Sequence, residues 1–448
     1  MKYWIRFLLL TLGLAAGTVG LTQTVEQSTA AFQRGDYPTA LVGFRKLAEQ
    51  GDALAQNNLA LMYAAGQGVP KDDHQAAAWC RKAAEQGYAV AQSNLGTMYL
   101  NGHGVLKEEQ QAMAWYRKAA EQGQASAQYN LGQMYAAGQA VLKDEQQAVV
   151  WYRKAAEQGN SLAQYNLGVM YAAGRGVPKD DQQAMSWYLR AAEQRSALAQ
   201  YNLGVMYGKG RGVPKDEQQA MAWYRKAAEQ GQASAQYNLG LMYAAGQGVP
   251  RDEREAVAWY RKAAEQGVAP AQSNLGAMYA KGQGVPKDDQ RAVAWYRKAA
   301  EQGDAVAQIN LGTMYLNGHG ERKDNQQGVA WYSKAADQRD ANAQYNLGVV
   351  YRDGQGVSKD EQQAVAWFRN AADQGLASAQ NNLGLMYANG QGVPKDDRQA
   401  YFWWLLASAQ GNQYAAKNRD LVERRLPPEQ RATAQSAARN WQAKTGTQ

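Results

Sequence analysis

The chain has 448 residues, a formal net charge of +8 and one cysteine, so an internal disulfide is excluded. The positive excess is not gathered into a block. Lys and Arg recur beside Glu, as in Arg117, Lys118 and Glu121, which reads as a solvated helix face of mixed sign and excludes a nucleic-acid patch.

Residues 1–22 carry Lys2 and Arg6, then the apolar run from Phe7 to Ala16, then small residues. This is the composition of a secretory signal peptide, and the run is shorter than the ~20 residues a spanning helix needs. Cleavage is expected between about Gly17 and Thr24, with no nearby cysteine to take a lipid. The expected mature chain is therefore exported, periplasmic or secreted, and touches a membrane only through the uncleaved segment. Residues 23–51 read as a degenerate first repeat that caps the N-terminal end. Its turn at Gly35-Asp36-Tyr37 is shorter than the later ones, and Phe44 and Leu47 stand where later copies have Tyr and Ala.

Residues 52–411 are organised by register. Trp79, Trp115, Trp151, Trp187, Trp223, Trp259, Trp295, Trp331, Trp367 and Trp403 are evenly spaced, and Tyr keeps the same interval from Tyr63 to Tyr387. Within one copy, Ala91, Leu95, Met98, Tyr99 and Gly102 follow the spacing of an amphipathic helix, A; Ala112, Trp115, Tyr116, Ala119 and Ala120 follow that of a second, B. Gly102 and Gly104 end the first helix, since glycine takes the left-handed conformation of a C-terminal cap, and Gly123 ends the second. Asp144, Asp180, Asp216 and Asp360 precede Gln147, Gln183, Gln219 and Gln363 by three residues. That spacing predicts a capping box, with the carboxylate bonding an orphan N–H and the amide reaching back.

A helix pair alone cannot bury both faces, so the copies must stack on one continuous core. Length alone suggests about three domains, but a shared core makes one. Each Trp is expected in that core, contributing roughly 4 to 6 kcal/mol gross. Arg195 and Arg339 stand where the closing glycine should be, and Glu321-Arg322 with Gly328 mark a candidate flexible joint. At the far end Tyr401-Phe402-Trp403-Trp404-Leu405-Leu406 is too apolar to stay wet. Residues 412–448 are expected to supply two capping helices and a tail, with Trp441 as an anchor.

The string of the copy beginning at Ala89, with Ala91-Gln92, Asn94-Leu95-Gly96, Met98-Tyr99, the Gly-x-Gly turn and Trp115-Tyr116, resembles the Sel-one-like repeat, a longer cousin of the tetratricopeptide repeat. The resemblance covers ten copies. It implies an all-α, right-handed superhelical solenoid of helix-turn-helix repeats that serves as a protein-interaction scaffold, with part of helix A lining a concave side. Cysteine-rich relatives are linked to β-lactam binding or hydrolysis, but Cys80 is this chain's only cysteine.

No enzyme site is expected. His74, His103 and His319 are far apart, with no ligand-spaced partners, which argues against a metal or a general base. Asp180-Asp181 and similar pairs sit where helix N-termini favour acids. Gly174-Arg175-Gly176 and its equivalents lack the Lys-Ser/Thr of a phosphate loop. No cofactor is implied.

Binding is the remaining function. On helix A, positions 90, 93, 94, 97 and 101 fall on one side of a wheel of about 100° per residue, away from the core residues. Position 93 varies from copy to copy: Ser93, Tyr129, Tyr165, Tyr201, Tyr237, Ser273, Ile309, Tyr345 and Asn381. Position 94 is always Asn, including Asn130, Asn166, Asn202 and Asn238. An Asn amide can hold a ligand's peptide group or tie one repeat to the next, and the tyrosines can contact ligand or neighbouring helices. The expected partner-binding residues are these four asparagines with Tyr129, Tyr165, Tyr201 and Tyr237. The expected ligand is an extended protein segment; a cell-envelope carbohydrate is the alternative, and a β-lactam hydrolase the remote one.

Overall fold

The computed structural model describes residues 19–443. The expected signal segment lies outside the described residues except for 19–22, which open the first helix, Val19–Gln33. Among the described residues there are 24 helices and no strand. Helix A of one copy is Ala125–Ala137 and helix B is Glu145–Glu157, 13 residues each, and the same pair recurs from Ala53–Ala65 with Asp73–Glu85 to Ala377–Asn389 with Asp397–Ala409. The fold is the expected all-α solenoid of helix pairs. Contacts gather into two compact units, up to Lys215 and from Asp216 onward, and within each unit the helices of the repeats pack on their neighbours in sequence.

The punctuation reads directly from residue chemistry. Gly102, Gly138 and Gly174 cap their A helices in the left-handed region, with φ of 74°, 73° and 68°. The B helices begin as expected at one half of the capping box: Gln147, Gln183, Gln219 and Gln363 each donate a backbone N–H to the aspartate three residues earlier at 2.9 Å. The other half differs. The aspartate's own N–H is already taken by a helix-A carbonyl, Asp144 to Tyr135 at 2.9 Å and Asp180 to Tyr171 at 3.0 Å, which leaves no orphan donor for the glutamine amide. One backbone bond thus ties the end of A to the start of B.

The core differs from expectation at the tryptophans. Trp187 and Trp403 are buried; the other eight of the series are half-buried. The deepest aromatic is the next residue along, as in Tyr116 at 1% exposure. Its ring lies on the bare backbone of the helix-A glycine, where a Cβ on Gly96 would come within 2.8 Å of it. The half-buried Trp sits between copies instead. Trp151 packs on a cluster that joins Tyr116 of the preceding copy to Leu131 and Met134 of its own, and Lys154 covers its ring with Nζ 4.2 Å from the centroid.

Among the described residues three non-glycines have positive φ: Arg195 and Arg339 at 64°, as the missing glycines suggested, and Ala140 at 58°, which the sequence did not single out. In copy 305–340 the space beside Gly328 is filled by Leu316, whose Cγ stands 2.6 Å from where a Cβ would be, and Glu321 accepts from Arg297 at 2.7 Å. The residues lost there are replaced by other contacts.

Past the last copy, helices Gln413–Glu423 and Pro428–Asn440 fold back over the apolar end. Val422, Leu426 and Ala434 join Tyr401 and Trp404 in one cluster, and Trp441 packs against the cluster of Phe368, Leu383 and Trp403. In these last two copies the lysine or arginine that covers Trp elsewhere is replaced by Asn370 and Leu406, which suits a surface covered by the chain itself.

Candidate ligand-binding face

Tyr129, Tyr165, Tyr201 and Tyr237, with Asn130, Asn166, Asn202 and Asn238, all lie half-buried on the helix-A face. The structure brings them together across repeats. Tyr129 packs on Tyr152 of its own copy with ring centroids 5.9 Å apart, as do Tyr165 on Tyr188 at 5.9 Å and Tyr237 on Tyr260 at 6.0 Å. Asn166, one copy later, stands beside the hydroxyls of both Tyr129 and Tyr152, and Asn274 beside those of Tyr237 and Tyr260. Asn202 stands beside Tyr188, and Asn130 beside Tyr116. Asn94 Nδ2 donates to Asn57 Oδ1 at 2.9 Å, so the residues of this face touch from one A helix to the next.

Asn382 Nδ2 likewise donates to the Tyr345 hydroxyl of the preceding copy at 3.4 Å, so Asn94 and Asn382 each bond one repeat to the one before it. Burial raises the hydroxyl pKa of Tyr129 and Tyr237, with an opposing contribution from their asparagine partners, so both phenols are neutral in ordinary buffers. Exposed on the same face are Leu162 and Leu198 at the second position of their A helices, 55% and 47% exposed. Sequence reasoning placed position 90 on this face but did not single out these leucines.

Two further networks escaped the sequence reading. Gln128, buried on helix A, donates to the Ala120 carbonyl at 3.1 Å and accepts from Gln158 at 2.7 Å; Gln92 with Ala84 and Gln122, and Gln272 with Ala264 and Gln302, repeat the arrangement. Each unit thus carries a spine of satisfied glutamines, whose signal was the unbroken recurrence of Ala-Gln on helix A and of the Gln that follows helix B. Helix-B arginines bind the next copy's helix-A tyrosine: Arg117 to Tyr135 at 3.2 Å, Arg153 to Tyr171 at 2.7 Å, Arg225 to Tyr243 at 2.8 Å and Arg261 to Tyr279 at 3.0 Å.

Reactive chemistry has little to work with. Among the described residues no three His, Cys, Asp or Glu side chains are grouped to hold a metal. His74 bonds the Gly104 carbonyl at 3.1 Å, and buried Cys80 has its thiol pKa pushed up to about 12 by desolvation, so it is not a thiolate nucleophile near neutrality.

A tandem array of helix pairs, stitched by repeat-to-repeat hydrogen bonds and offering a long helical surface, is the architecture of a binding scaffold. The chain belongs to the Sel1 repeat family, whose model matches ten consecutive segments: 53–88, 89–124, 125–160, 161–196, 197–232, 233–268, 269–304, 305–340, 341–376 and 377–412. Sel1 repeats generally mediate protein–protein interaction, and the family is typically non-enzymatic. Among solved structures, the chain is similar to c5321, a protective antigen of uropathogenic Escherichia coli with an SLR fold, at 38% identity over 90% of this chain and 94% of that one, with a TM-score of 0.66. It is also similar to a Sel1 repeat protein from Oxalobacter formigenes, at 36% identity over 72% of this chain and 91% of that one, with a TM-score of 0.54. No curated protein matches the chain.

Proposed function

We propose that this protein is an exported scaffold that binds an extended segment of another protein along its helix-A face. The observation that carries the reading is the contrast on that face between constant and variable positions. Asn and the buried Gln recur as ties between copies, while position 93 and the second residue of helix A change from copy to copy and supply half-buried aromatic and exposed aliphatic surface. Variable surface on a constant frame suits selective recognition of one chain across several repeats. The charged, apolar and small-residue order of residues 1–22 supports export.

The test is capture from cell-envelope extract by the purified protein. Protease treatment of the extract should abolish capture and glycosidase treatment should leave it intact; the reverse result would favour an envelope carbohydrate as ligand. N-terminal sequencing of the exported protein should find cleavage between about Gly17 and Thr24, and an intact N-terminus would overturn the signal-peptide reading.

A further inference from the structure

We infer that the segment bound by this face is uncharged and apolar, and that its apolar residues meet Leu162, Tyr165 and Val169 on one A helix and Leu198, Tyr201 and Val205 on the next. The inference rests on the proposed function and specifies its partner.

The first observation is the distribution of charge. One residue in five of this chain is charged. Yet the A helices Ala53–Ala65, Ala89–Asn101, Ala125–Ala137 and Ser161–Ala173 contain no Asp, Glu, Lys or Arg, and Ala197–Lys209 has only its last residue. The charges stand on the B helices and in the turns. A partner carboxylate or ammonium laid along these A helices would lose hydration and find no counter-charge, a penalty that neutral side chains avoid.

The second observation is apolar exposure in register. Leu162 and Leu198 occupy the same position in consecutive copies, and Tyr165 with Val169, and Tyr201 with Val205, follow them on the same side of each helix, half-buried. An isolated exposed leucine needs no explanation. Two equivalent leucines on adjacent helices, each continued by an aromatic and a β-branched residue and with no charge between, form a patch of the kind that marks an interaction site. Adjacent A helices stand about 10 Å apart by ordinary packing and an extended chain rises ~3.3 Å per residue, so one ligand residue in about three should be apolar.

The test uses three fluorescein-labelled peptides of the same length, with every third residue Leu, Lys or Glu and Ser or Gly between, against the full-length protein in an anisotropy titration. The Leu peptide should bind, with no loss of affinity as salt is raised, and the double variant Leu162→Asp/Leu198→Asp should weaken it about tenfold or more while keeping its circular dichroism. Tighter, salt-sensitive binding of the Lys or Glu peptide would overturn the inference. So would equal binding of the Leu peptide to protein and variant. If no peptide binds but the variant loses capture from envelope extract, the inference fails and the proposed function stands; if the variant captures as well as the parent, both fail.

Discussion

At the scale of single residues, the array depends on a fit between a helix-A glycine and a helix-B ring. A Cβ on Gly132 would lie 2.7 Å from the Tyr152 ring and one on Gly168 2.6 Å from the Tyr188 ring. The copy that breaks the rule breaks it on both sides: Ala60 replaces the glycine, Cys80 replaces the tyrosine, and the two share one buried cluster. Gly132→Ala should therefore cost about 1–3 kcal/mol by overpacking, and a double-mutant cycle with Tyr152→Cys should show coupling above about 0.5 kcal/mol. Urea denaturation of the four proteins measures both, and additive effects would mean the contact is not what selects glycine. The same burial has a pH consequence. Desolvation pushes the Tyr116, Tyr260 and Tyr296 hydroxyls up to about 12 from the ordinary value of 10.0. Because the folded state holds these protons more tightly, their contribution is complete below pH 10 and is lost between pH 10 and about 12, so the melting temperature should fall across that interval as pH rises. A melting temperature constant to pH 12 would contradict this burial. Arg195, at φ 64°, should be improved by glycine: Arg195→Gly should gain up to about 1 kcal/mol from relieved strain, less whatever the freer unfolded chain takes back.

At the scale of helices, the half-buried Trp revises an expectation. A core Trp would cost about 3–5 kcal/mol on truncation to Ala. Trp223 instead lies half-exposed under Lys226, whose Nζ is 4.0 Å from the ring centre. Trp223→Ala should cost less, about 2 kcal/mol, and a denaturation series that returned the full core value would restore the original reading. The closing helices make the sharper case. Tyr401 donates to Glu423 at 3.0 Å and accepts from Gln435 at 3.0 Å, so both helices hold the terminal tyrosine while covering Trp404. Truncation after Gly411 should expose this surface and cause self-association, seen as growing mass in light scattering; a truncated chain that stays monomeric when concentrated would refute the capping role.

At the scale of the molecule, the proposed binding face also carries stability. Tyr129, Tyr165 and Tyr237 pack on helix-B rings. Replacing Tyr129, Tyr165, Tyr201 and Tyr237 by Ser together should lower the melting temperature along with partner capture, because each loses an aromatic contact worth about 0.5–1.5 kcal/mol beyond its buried area. An unchanged melting temperature would mean these contacts carry no stability. Leu162 and Leu198 are the better probes of binding, since more than half of one and nearly half of the other faces solvent.

The helix pairs and their glycine caps were legible because they rest on local chemistry: periodic apolar residues, left-handed glycine and an aspartate at nearly every B-helix start. The repeat also showed which residues are structural by their recurrence. What recurrence cannot tell is which of two neighbouring aromatics goes inside: Trp recurs in all ten copies and the residue after it is Tyr in seven, yet it is the less constant one that is buried deeper. The tertiary contact decides it, because only the position facing bare glycine backbone can admit a ring, and that position belongs to Tyr116 and its equivalents. The asparagine was ambiguous for a similar reason: its amide can serve a ligand or a neighbour, and the hydroxyls beside it, those of Tyr129 and Tyr152 for Asn166, come from the preceding copy, a placement set by how the repeats stack.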